Sequence, residues 1–239
     1  MTSNVNETFR RQGFVLFEDA LAADELDTLR TVCDELLNEP IDDGGGTTHR
    51  IGLGENRRFL RHRHPDFPIL EDFLLGQTIA RVNEACGIDD PMLFNEQFVV
   101  KGAATGASFA WHQDGAYVGF DHRPYLTVWI ALDDATIENG CVFIQPRDLD
   151  LQPDLDPHEW QDDSNELNGY FGDEPGVPIT CRAGTVVAFS SLTLHRSGEN
   201  VTRAPRRAYV TQYSSGPIND PATGMPKRFA KPVGAGLAI

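Results

Sequence analysis

The chain has 239 residues and no Pro/Ser-rich or low-complexity linker, which fits a single domain with a core of its own. With 36 acidic against 20 basic residues, the formal charge of -16 argues against nucleic acid or an anionic membrane as partner, since both would meet a repelling field. Cys33, Cys86, Cys141 and Cys181 form no CxxC pair, so reduced, buried thiols are expected rather than a zinc knuckle or a thioredoxin-like site.

The N-terminal MTSNVNETFRRQG lacks an apolar core of signal-peptide length, and no apolar run reaches the length of a membrane span. A cytoplasmic protein is expected, with monomer and homodimer both open. Leu26, Leu29, Val32, Cys33, Leu36 and Leu37 recur at three- and four-residue spacings and predict a helix over 21–37. DDGGGTTHR, at 42–50, has neither the lysine nor the strand-to-helix setting of a phosphate-binding loop and reads as a flexible connection. ENRRFLRHRH, at 55–64, is the one basic cluster, and a second helix is expected over 69–85.

After Pro91 the texture changes to short segments rich in β-branched and aromatic residues: MLFNEQFVVK, ASFAWHQD, LTVWIALDD, CVFIQP, GTVVAFSS and RRAYVTQYSS. Helices followed by many strands predict an α+β, mainly β fold, with a sandwich or barrel over about 91–216 behind a helical part over about 1–90. Residues 148–174 carry ten acids and no lysine or arginine, and read as a solvated or mobile loop, with a rim or lid over a pocket as the functional alternative.

WHQDGAY, at 111–117, sits in a strand-like context. Alternation there would put His112 and Asp114 on one face and Trp111 and Gln113 on the other. Two histidines and one carboxylate leave open positions on a metal, the arrangement of non-haem Fe(II) oxygenases. Of the other histidines, His195 in FSSLTLHRSGEN closes a strand-like stretch and is the best third ligand. His49, His62, His64, His122 and His158 lie in charged contexts and read as solvated. An HxD pair alone leaves ordinary surface or hydrogen-bonding roles open.

Taken together, FVVKG, WHQDGAY, LTVWIALDDATIENG, AGTVVAFSSLTLHRSGEN and APRRAYVTQY, in this order over about 95–214, resemble the phytanoyl-CoA dioxygenase family of Fe(II)/2-oxoglutarate oxygenases. QGFVLFEDALAADEL resembles that family's opening strand and helix. The resemblance implies a double-stranded β-helix (jelly roll, cupin-like) with N-terminal helices packed against it. It also implies Fe(II), 2-oxoglutarate as cosubstrate, O2, and hydroxylation of a small molecule.

Residue by residue, the resemblance makes His112, Asp114 and His195 the iron ligands. Arg206, eleven residues after His195, would hold the far carboxylate of 2-oxoglutarate, with Ser197 assisting, Trp129 as a wall and Lys101 nearby. Arg207 is the adjacent rival, but strand neighbours face opposite ways. Related halogenases replace the aspartate with a small residue, so Asp114 argues against halogenation.

The substrate is expected to be a free small molecule of a biosynthetic or catabolic pathway. Arg57, Arg61 and Tyr117 are its candidate contacts, with the cluster at 55–64 overlying the pocket to hold a carboxylate or phosphate. Plain offset of the acidic surface is the alternative for those arginines. A cupin-like isomerase or hydrolase, which would not need Arg206, is the competing function.

Overall fold

The computed structural model describes residues 2–40, 48–50, 57–104 and 108–234. The chain opens with helix α1 (Thr2–Gln12), not foreseen in the sequence, which buries Phe9. Gly13, at φ 76°, turns it into strand β1 (Phe14–Phe17). Helix α2 (Ala23–Leu37) follows as expected, burying Leu29, Val32, Cys33 and Leu36; the Glu25 carboxylate accepts the Ala22 N–H at its start. The connection at 42–50 lies outside the described residues up to 47, and β2 (Thr48–Arg50) ends it.

Within the basic cluster, Arg57–Arg61 form strand β3. The helix expected over 69–85 is two, α3 (Pro68–Leu74) and α4 (Gln77–Cys86). They part at Gly76, where a Cβ would stand 2.6 Å from the Asp72 carbonyl oxygen.

The remaining strands are β4 (Pro91–Lys101), β5 (Phe109–His112), β6 (Leu126–Ala131), β7 (Val142–Ile144), β8 (Glu159–Gln161) and β9 (Glu166–Asn168). After them come β10 (Val177–Ile179), β11 (Val186–Ser190), β12 (His195–Ser197), β13 (Arg206–Ser215) and β14 (Lys231–Pro232). They form a larger antiparallel sheet in the order β1-β11-β6-β13-β4-β3-β2, with β14 beside β4, and a smaller one in the order β10-β7-β12-β5. Two such sheets face to face make the jelly roll. The part up to residue 90 is not only helical, because β1, β2 and β3 complete the larger sheet.

Alternation along the larger sheet builds two cores. Leu126, Val128, Ile130, Tyr209, Tyr213, Phe98 and Val100 face α2, α3 and α4. The opposite face supplies Phe59, Val99, Trp129, Val187, Phe189 and Val210, which meet Val142 and Ile144 of the smaller sheet. A bulge skips Phe94 between the pairs Gln212↔Asn95 and Tyr213↔Leu93 and turns both Phe94 and Asn95 toward the interior cavity.

The acidic segment 148–174 is not simply a solvated loop: β8 and β9 form a hairpin within it, and Glu166 is buried. Arg147 pairs with Asp156 at 2.7 Å, and the Gln113 side chain accepts the Asp156 N–H at 2.7 Å. No helix among the described residues is long and apolar enough to cross a membrane.

Candidate active site

The HxD pair sits where a strand stops. His112 is the last residue of β5, and Asp114 opens a 3-10 turn (Asp114–Val118), so the two are not strand neighbours on one face as alternation predicted. The turn swings the carboxylate back toward the histidine. His195 pairs with His112 in register across β12 and β5, and the ring centroids lie 4.2 Å apart. Asp114 Oδ1 stands 3.8 Å from Nε2 of each histidine, and the three ligand atoms lie within 4.8 Å of one another. Among the described residues this is the one such cluster of His, Cys, Asp and Glu.

Each of the three side chains is oriented from behind. Nδ1 of His112 bonds the Ala110 carbonyl at 2.8 Å and Nδ1 of His195 the Thr193 carbonyl at 3.1 Å, which leaves both Nε2 atoms facing inward. Asp114 Oδ2 accepts Thr127 Oγ1–H at 2.5 Å and Gln212 Nε2–H at 3.1 Å, reserving Oδ1 for the centre. Burial, then the neighbouring His112, pushes His195 down to about 4, so it stands neutral and ready to donate a lone pair at neutral pH.

Arg206, buried on the inward face of β13, answers the choice between neighbours. Its Nη2 donates to the Gly140 carbonyl at 2.9 Å, while Nε and Nη1 are buried without a hydrogen-bond partner. Gly140 sits at φ 81°, and a Cβ there would meet the Gly198 carbonyl oxygen at 2.4 Å, so this turn of the ENG segment requires glycine. Arg207 points the other way, bonding Asp133 at 2.7 Å and Asp34 at 2.6 Å. Burial brings Arg206 down to about 10.

A cavity of about 90 Å³ is lined by Arg206, Ser197, Trp129 and the three ligand residues. The Ser197 hydroxyl is buried without a partner, and the Arg206 guanidinium lies 5.5 Å from the Trp129 ring centre. Lys101, in register with Arg206, stands beside this cavity rather than in its lining, with Nζ donating to the Gly198 carbonyl and lying 5.1 Å from the Phe109 ring centre.

A second cavity of about 220 Å³ shares Phe59, Gln97, Phe109, His112 and Asp114 with the first and adds Arg61, Tyr117, Glu166 and Arg228 among its walls. Tyr117 takes the Leu167 N–H on its hydroxyl at 3.1 Å, tying the site to the insert. Arg57, expected at the rim, is instead sunk beneath it at 1% exposure, ion-paired to Glu166 and donating to the Ser108 carbonyl at 2.7 Å. Arg63 is likewise buried against Glu39 and Asp66. The reading of the remaining histidines as solvated fails most clearly at His64, fully buried with Nδ1 3.2 Å from Glu96. His62 bonds Asn95 at 2.8 Å, His158 accepts the Gln113 N–H at 3.1 Å, and the side chain of His49 lies outside the described residues.

A profile of the phytanoyl-CoA dioxygenase family matches residues 9–208. The chain belongs to that family. A phytanoyl-CoA dioxygenase of Arabidopsis thaliana is 23% identical over 252 residues, covering 87% of each chain. Among solved structures, the epimerase SnoN in complex with Fe3+, alpha ketoglutarate and nogalamycin RO superposes with a TM-score of 0.73. It is 23% identical and covers 97% of this chain and 94% of its own. EvdO2 from Micromonospora carbonacea var. aurantiaca, complexed with 2-oxoglutarate, gives 0.70 at 24% identity, covering 96% and 93%. These likenesses establish the family's jelly roll as the fold.

Sequence reasoning missed Thr127, Gln212, Glu166 and Arg228. Thr127 and Gln212 lie on strands whose alternation could have placed them inward; Arg228 follows the last long strand and carries no such signal.

Proposed function

We propose that this protein is an Fe(II)- and 2-oxoglutarate-dependent dioxygenase that hydroxylates an unactivated C–H bond of a small molecule, in natural-product biosynthesis or catabolism. The observation that carries the reading is one juxtaposition: three metal-ligating atoms within 4.8 Å of one another, beside a buried guanidinium with unpartnered N–H groups. His112, Asp114 and His195 would hold the iron on one side, leaving positions open. Arg206 and the Ser197 hydroxyl would receive the far carboxylate of 2-oxoglutarate through charge-assisted hydrogen bonds, Trp129 would wall its chain, and Lys101, donating to the Gly198 carbonyl, would brace the turn beside Arg206.

With O2, iron and 2-oxoglutarate together supply the oxidising chemistry, the cosubstrate ending as succinate and CO2. The chain's own residues orient these groups and keep water from them. Phe189, Val142 and Trp129 make the pocket apolar around its few polar donors. A cupin-like enzyme without 2-oxoglutarate would leave Arg206 buried and uncompensated for no purpose, an expensive arrangement.

Anaerobic titration with Fe(II) and 2-oxoglutarate is expected to raise the weak visible charge-transfer band of a chelated 2-oxoacid, and Arg206→Ala to weaken its formation tenfold or more. Iron bound without a band would favour the cupin-like alternative. Succinate release coupled to a hydroxylated product would establish the outcome, whereas epimerised product would replace hydroxylation, as the likeness to an epimerase makes worth testing.

A further inference from the structure

The larger cavity contains two cations that the acidic chain does not neutralise. Several arginines beside the core are paired: Arg57 with Glu166, Arg63 with Glu39, Arg147 with Asp156, Arg207 with Asp133 and Asp34. Arg61 and Arg228 join no ion pair among the described residues, and Arg61 Nε is buried without a hydrogen-bond partner. Both line the cavity that shares His112 and Asp114 with the cosubstrate pocket. Burial, then the charge of Arg228, holds the Arg61 guanidinium below its usual value. Burial lowers Arg228 as well.

They reach the cavity by separate routes. On β3, alternation sends Arg57, Phe59 and Arg61 to one face, and Arg61 lies in register with Gln97 of β4. Arg228 comes from the segment after β13, which folds back over β4. There the Phe229 N–H bonds the Phe94 carbonyl at 3.1 Å, and the Phe229 ring packs on His62 and His64. Arg228 itself lies 5.5 Å from the Phe94 ring centre. The two carboxylates in the cavity wall are committed elsewhere, Asp114 to the triad and Glu166 to Arg57.

We propose that the substrate of this oxygenase bears a compact oxyanion, a carboxylate or a phosphoryl group, clamped between Arg61 and Arg228 with the Gln97 amide beside them. The proposal rests on the active-site reading above for the identity of the cavity. Two forks on one oxyanion give charge-assisted, orienting hydrogen bonds and relieve the repulsion of the like charges. A cavity of about 220 Å³ restricts the rest of the substrate to a small skeleton, held between Phe59 and Phe109 and facing the His112–Asp114 wall.

The test is calorimetric titration of the anaerobic protein, loaded with Fe(II) and 2-oxoglutarate, with methyl phosphate and with acetate. Saturable binding of at least one probe is expected, weakened tenfold or more by Arg61→Gln and by Arg228→Gln and unchanged by exposed Arg203→Gln. Arg228→Lys, which keeps the charge but not the fork, is expected in between and serves if the glutamine variant fails to fold. Tighter methyl phosphate points to a phosphoryl substrate and tighter acetate to a carboxylate.

No binding of either probe, or binding indifferent to both arginines, overturns the clamp. The charge-transfer band is read on the same samples. A normal band with arginine-independent anion binding defeats the clamp alone, and arginine-dependent binding without a band defeats the cosubstrate reading alone.

Discussion

Asp114 shows how much of the centre depends on residues that touch no metal. Its Oδ2 is held by Thr127 and Gln212, on adjacent strands of the larger sheet. Removing such a partner commonly costs about 10–100-fold in metal affinity. Thr127→Val is therefore expected to weaken Fe(II) binding by that order while leaving the melting temperature nearly unchanged; equal affinity in the two proteins would remove Thr127 from the site.

Lys101 provides a second residue-scale case. Burial, then the charges of Arg206 and Arg57, push it down to about 6. The unfolded chain keeps that proton up to its ordinary value near 10.5, so between these limits the unfolded state binds more protons and stability rises with pH. Lys101→Met should melt above wild type at pH 7, with the gap closing toward pH 10. A gap constant over that range contradicts a neutral, buried lysine.

At this scale the sequence was legible wherever alternation could be applied to a strand whose partner face was known. That only one of Arg206 and Arg207 points inward followed from that rule; that it is Arg206 came from the family resemblance. It failed for His112 and Asp114 in detail, because the strand ends between them. Arg228 was illegible because only the tertiary return of its segment brings it to the cavity.

Among elements, the hairpin β8–β9 has the most unexpected role. Ten acids concealed it: composition suggested a solvated loop, yet Glu166 is buried because Arg57 waits beneath it. Its other carboxylate oxygen accepts the Ala110 N–H at 2.9 Å, fixing the strand that carries His112. Breaking one side of a buried ion pair leaves an uncompensated charge and costs about 3–5 kcal/mol. Glu166→Ala should lose stability of that order and become more open to proteolysis between residues 159 and 168. An unchanged digestion pattern would mean that the hairpin is held by other contacts. The division of the second helix was also written in the chain, at Gly76, but periodicity across 69–85 continues through the break and hides it.

For the whole molecule the relevant quantity is the field. A body of formal charge -16 repels a dianion, while Arg206, Arg61 and Arg228 attract it locally. Salt screens the distributed surface charge before it screens buried groups. The association rate of 2-oxoglutarate is therefore expected to rise a few-fold as NaCl increases from about 10 to about 150 mM, where the screening length falls to about 8 Å. A rate that falls instead would show that the local cations dominate the approach. The jelly roll itself was readable from strand texture and the order of motifs. Its sheet membership was not: β3 comes from a stretch whose composition advertised charge, and the opening strand carried no sign of the sheet edge it completes.

The frame and the grip of this protein have different origins in the chain. The three residues proposed to hold iron, and Arg206, arise from strands, or the turn directly after one, inside the two-sheet frame. Glu166 and Arg228, by contrast, arrive on segments hung outside it. Such a layout makes the pocket a chuck with exchangeable jaws. Refashioning the hairpin around 159–168 and the return around 217–230 would alter what is held without disturbing what oxidises it.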